Sequence, residues 1–230
     1  MGRFDKLFGK KDTGMEAAST NSRNQTYEAK QILGEKNVFG ADEWKKFFGK
    51  KFQVTDIPEI PWSVDVLKDP GINQQHFLFL GLNVLGGEPL NIPAWDKLYP
   101  GKEHPKLCWI PWNKQAFTQR TCDLRWYFIL FCFGKLWGPY NNLVALLPDR
   151  YEVPGVTELV TATFLYYLLN DKYPDTAGWM ANTSDKTNDG HRAIFRISES
   201  DGAQIIDNFH LDDANDMVET LGIAASRKLP

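Results

Sequence analysis

The chain has 230 residues, enough for one domain or a tight pair with an apolar core that needs no disulfide staples. Hydrophobic residues make up 43%, charged residues 24%, and the formal net charge is -3, so the composition is that of an ordinary soluble protein with no electrostatic ground for binding nucleic acid. The three cysteines, Cys108, Cys122 and Cys132, show no Cys-x-x-Cys spacing, which argues against both a disulfide framework and a zinc site.

The first segment carries Phe4, Leu7 and Phe8 at helical spacing, with Lys10, Lys11 and other cations around them. A short basic amphipathic arm of this kind can lie on an anionic membrane surface. Lys6 stands where a myristoylation signal needs Ser or Thr, so lipidation at Gly2 is not supported. No apolar h-region follows the charged start, and the longest apolar run is short of a membrane span. A cytoplasmic location is therefore expected, with peripheral contact at the inner membrane face through the arm.

Residues 12–30 are polar and read as a linker, which sets residues 1–37 apart as arm and linker and leaves 38–230 as the globular domain. Asp42–Gly49 reads as a short helix: Trp44, Phe47 and Phe48 share a face, acids open it, and Gly49 suits its end. Pro58 and Pro61 keep Val54–Trp62 extended. His76–Leu82 reads as a buried strand, and Gly86-Gly87 as a turn. Pro89–Trp112 is rich in Pro and Trp with little periodicity, and is expected to be ordered but irregular, ending in one short helix.

Leu124–Phe133 is the strongest strand signal, apolar enough for both faces to be covered. Val144–Leu147 reads as a second, short strand. The clearest helix follows: Pro154 suits its first turn, Glu158 complements its dipole, and apolar residues run from Val156 to about Asp171. Trp179–Asn182 and His191–Ile197 read as a hairpin turning at Asn188-Asp189-Gly190, and Gln204–Phe209 as a further strand. Asp212-Asp213 caps a short helix carrying Ala214, Met217, Val218 and Leu221, and Gly222 launches a terminal strand in which Arg227 and Lys228 protect a sheet edge. The expected class is α+β: a single domain with an antiparallel or mixed sheet packed against one long helix, with short helices near both ends.

Chemistry is harder to place. Asp185, Thr187, Asp189 and Gly190 occupy calcium-loop positions, but the twelfth, which must be a bidentate Glu, is Arg196, so a hairpin turn is the better reading. Asp207, His210, Asp212, Asp213 and Asp216 form a polar cluster in which His210, with Asp207 or Asp212, is the candidate for acid–base work. Trp109, Trp112 and Trp126 are candidates to line a small-ligand or partner surface. His76 and His104 each stand alone. Walker, dinucleotide, nucleophile-elbow and metalloprotease motifs do not occur, and neither cofactor nor metal is expected.

Three groups of residues carry a resemblance: Glu43-Trp44 with Phe47-Phe48-Gly49, Tyr151-x-Val153-Pro154 with Glu158, and the terminal Gly222-Ile223-Ala224-Ala225-x-Arg227-Lys228. Over roughly residues 41–230 the chain resembles a family of uncharacterised bacterial proteins that share these landmarks. The segment 100–138 here is longer and less polar than the family pattern. The resemblance implies an architecture and no activity. The leading expectation is a non-enzymatic module that binds another protein. An enzyme with a dispersed site around His210, or a Trp-lined ligand binder, are the alternatives.

Overall fold

A computed structural model describes residues 13–69, 76–100, 105–109, 115–131, 140–175, 180–198, 202–207 and 221–230. The architecture is α+β in a single domain. Two five-stranded sheets share the core where one was expected.

The first helix, α1 (Thr13–Leu33), occupies most of the stretch read as a polar linker. Its inward seam is Ser22, Thr26, Ala29 and Leu33, spaced at helical intervals and all buried. Three of the four are small, so the seam lacks the large apolar residues that betray a packed helix. Hydrogen bonds replace them. Ser22 Oγ donates to the carbonyl of Ile57 at 3.1 Å, and the amide of Ile60 donates to Gln25 Oε1 at 2.9 Å. Lys30 Nζ pairs with Glu43 at 2.5 Å. Gly40 lets this helix approach closely: a Cβ there would stand 2.8 Å from Thr26 Cγ2 and 3.3 Å from Trp126.

Strand β1 (Val38–Phe39) leads into α2 (Ala41–Phe48), which begins and ends as its sequence signals indicate. Glu43 in its first turn accepts the amide of Gly40 at 2.8 Å. Trp44 is fully buried and donates to the carbonyl of Leu80 at 2.9 Å, satisfying its indole N–H inside an aromatic cluster with Phe39, Phe48, Phe52 and Trp95. Beyond the extended segment and a one-turn helix, α3 (Val64–Leu67), come β2 (His76–Leu80) and a tight hairpin of β3 (Val84–Leu85) and β4 (Glu88–Pro89). The segment expected to be irregular contains α4 (Ile92–Leu98) and β5 (Leu107–Trp109); Asn91 caps α4 by accepting the amide of Ala94 at 3.0 Å.

Strand β6 (Trp126–Leu130) pairs antiparallel with β2 over five residues, all buried on both strands. Val144–Leu147 is not a strand: α5 (Tyr140–Leu146) covers all but its last residue. After β7 (Tyr151–Glu152) comes α6 (Val156–Asn170), buried on every side through its first ten residues except at Glu158. It packs against β1 and β2 of one sheet and against β8, β9 and β10 of the other. A helix held between two layers has no polar face, which is why its β-branched residues are tolerated despite their modest propensity.

The second sheet is the expected hairpin of β8 (Met180–Lys186) and β9 (Arg192–Ser198), extended by β10 (Gly202–Asp207), with β5 and β11 (Leu221–Ile223) at its two edges. The terminal strand divides in two. β11 runs parallel to β8, and after the buried Ala224 the chain enters β12 (Ala225–Arg227), which lies between β6 and β7 in the first sheet. Arg227 is therefore in an interior strand and does not protect an edge. With α1 and α6 both long, the expectation of one long helix is corrected as well.

Candidate functional site

Among the described residues, a group of interacting polar side chains with partial access lies at the N-terminus of α6. Pro154 and Gly155 turn the chain out of β7, and the first amides of the helix need acceptors. Glu158 accepts the amide of Gly155 at 2.8 Å, and Asp185, from β8, accepts that of Val156 at 2.8 Å. Gly155 permits the approach, since a Cβ there would meet Asp185 Oδ2 at 2.9 Å. Each acid also has a cation: Arg120 Nη1 lies 2.5 Å from Asp185 Oδ1, and Arg125 Nη2 lies 3.7 Å from Glu158 Oε1. The Arg125 guanidinium stands 4.5 Å from the centre of the Tyr127 ring, and Tyr127 Oη accepts the amide of Asp123 at 2.9 Å.

Burial dominates the electrostatics. It pushes the Glu158 carboxyl up to about 7, against the Gly155 amide and Arg125, which favour the charged form. It pushes the Cys122 thiol up to about 12, with Glu158 adding to the effect, and raises the Tyr127 phenol. A thiol held protonated in this way is inert as a nucleophile. Glu158 is the one member with both partial access and a carboxyl poised near neutrality, which suits proton transfer.

A second polar pair sits on the other face of the first sheet. His76 Nε2 lies 3.1 Å from Tyr151 Oη, with both residues buried and the imidazole packed on Phe128. This is a hydrogen-bonded core histidine. Between the β3–β4 hairpin and α4, a recess of about 260 Å³ is lined by Lys51, Leu85, Leu90 and Leu98 among others, and its rim holds an exposed Lys97–Glu88 pair at 3.2 Å.

Of the residues singled out by sequence, His210, Asp212, Trp112 and the arm residues Phe4, Leu7, Phe8, Lys10 and Lys11 lie outside the described residues. Asp207 ends β10 opposite Ala193, and Trp109 pairs with Ile205 at the sheet edge. Trp126 is a core residue, 1% exposed, whose indole donates to the carbonyl of Pro58 at 2.8 Å. The calcium-like stretch is a hairpin, and its first acid, Asp185, serves the helix terminus. Among the described residues no three His, Cys, Asp or Glu side chains are placed to hold a metal, and no helix is long and apolar enough to cross a membrane. The cluster at α6 escaped sequence reasoning because it joins three separate segments, one with Cys122 and Arg125, one with Glu158 and one with Asp185, at no fixed spacing. Comparison with family models, curated proteins and solved structures finds no match.

Proposed function

We propose that this protein is a non-enzymatic interaction module that docks another protein through α5. The observation that carries this reading is the outward surface of that helix. Leu143 is fully buried and roots α5 in the core, while Val144 and Leu146 are 36% and 58% exposed and Ala145 between them is exposed. Arg192 sits 3.8 Å over the ring of Tyr140 and ties the start of the helix to β9. α5 carries no Asp, Glu, Lys or Arg, so a complementary partner presents an apolar surface and binds with little dependence on salt. Val144, Ala145 and Leu146 follow one another around the helix, so its outward side is apolar around much of its girth.

The test is affinity capture from the source cells with the intact chain and with a Val144→Asp, Leu146→Asp double variant. A protein retained by the first through 0.5 M salt and lost by the second supports the reading. Equal recovery by both removes it. Residues 1–11 are the second contact in this proposal, a peripheral membrane arm at the cytoplasmic face, and deleting them should abolish liposome binding.

A second reading, an acid–base catalyst, is favoured by Glu158, whose carboxyl near neutrality stands beside Arg125. The candidate base in this reading is Glu158; His210 lies outside the described residues. Glu158→Gln should then abolish any turnover found for the protein while leaving the fold intact; turnover retained by that variant rejects the reading.

A further inference from the structure

We propose that Arg227, with Arg150 beside it, forms a binding site for a phosphate-class anion at the β7 edge of the first sheet. The platform is Tyr151. Strand pairing sets Arg227 directly across from Tyr151, and its guanidinium carbon lies 5.5 Å from the ring centre. Arg150 precedes Tyr151 in the chain and brings its own guanidinium to 5.8 Å from the same ring. The phenol oxygen of Tyr151 is engaged by His76 at 3.1 Å, which fixes the ring.

The face of a tyrosine attracts cations but gives guanidinium N–H groups no in-plane acceptor. Nη1 of Arg227 is buried and has no hydrogen-bond partner among the described residues. Arg150 is 54% exposed on its side chain, and its acid, Asp69, stands 3.9 Å away, beyond hydrogen-bond reach. Asp149 and Glu152 flank the pair in sequence and are both exposed; Glu152 alternates to the opposite face of β7 from Tyr151. Two forked donors that share one ring, one with an unanswered N–H, match an anion that carries about two charges and several acceptor oxygens. A phosphate does so, whether free, on a soluble metabolite or on a lipid headgroup. The site is independent of α5 and of the interaction reading.

The test titrates the full chain with inorganic phosphate at constant ionic strength, following the Arg227 side-chain nitrogen resonances and the melting midpoint. Retention on vesicles containing phosphatidylglycerol is measured alongside. Phosphate should shift the Arg227 resonances and raise the midpoint, and Arg227→Gln and Arg150→Gln should each weaken the apparent affinity at least tenfold. A phosphate response with vesicle retention unchanged by Arg227→Gln assigns a soluble ligand; retention that needs Arg227 assigns a headgroup. Wild-type resonances unmoved by both probes, or variants that titrate like wild type, overturn the proposal. Arg150→Gln changes an exposed side chain, so the test stands even if Arg227→Gln fails to fold.

Discussion

Arg125 Nη2 stands 3.7 Å from Glu158 Oε1, while the other oxygen of that carboxylate holds the amide of Gly155 at 2.8 Å. One carboxylate thus joins the approach to β6 to the first turn of the buried helix, yet burial still lifts it to about 7. The folded protein then binds a proton at Glu158 that the unfolded chain, titrating near 4.5, has released. Stability from this group is therefore full below about 4.5 and is lost as pH rises through about 7. At roughly 1.4 kcal/mol per pKa unit the full change is about 3.5 kcal/mol, of which about 2.5 kcal/mol falls between pH 5 and pH 8. Urea unfolding at pH 5 and pH 8 checks it against Glu158→Gln, which mimics the neutral acid. The advantage of wild type over the variant should shrink by that amount at the higher pH, and a constant difference contradicts the sign.

The packing of α1 makes a separate demand. Gly40→Ala places a methyl 2.8 Å from Thr26 Cγ2 without backbone strain, since Gly40 has φ -106°. Overpacking of this kind costs about 1–3 kcal/mol. Adding Thr26→Ser removes the opposing methyl and should restore most of the loss. If Gly40→Ala unfolds at the same denaturant concentration as wild type, α1 does not pack on the domain.

Ser226 is paired on both sides, with Ile129 of β6 and Glu152 of β7. Ser226→Pro removes an amide from an interior strand and should cost about 3 kcal/mol or more. The same change at Leu229, beyond the last strand and 44% exposed, should be nearly neutral. Similar melting temperatures for the two variants would return the C-terminus to an edge position.

What could be read from sequence depended on how loudly each element announced its burial. β2, β6 and α6 are apolar runs, and Gly49 at the end of α2, Glu158 at the start of α6 and Gly190 in the β8–β9 turn have fixed backbone roles. The inner seam of α1 is Ser22, Thr26 and Ala29, so its helical period is written in small residues that also suit a linker. Val144–Leu147 is a short apolar run, and such runs fit a strand as well as a helix turn. The division of the last strand leaves no mark, because a residue buried between sheets, like Ala224, looks the same as one within a sheet. The site was less legible still. Glu158 stood out only for its place near a helix dipole, and Asp185 only for a calcium pattern it does not complete. Their meeting with Arg120 and Arg125 is a product of tertiary structure.

The α5 reading rests on surface rather than on stability. Val144→Asp and Leu146→Asp alter exposed side chains and should move the unfolding free energy by no more than about 0.5 kcal/mol. The most direct measurement is photo-crosslinking in the source cells, with a photoreactive residue placed at Val144 in one form and at the exposed Glu59 of the extended segment in another. The account expects one discrete heteromeric adduct from position 144, lost when Leu146→Asp is added, and no corresponding adduct from position 59. No adduct from 144, or the same adducts from both positions, would contradict it.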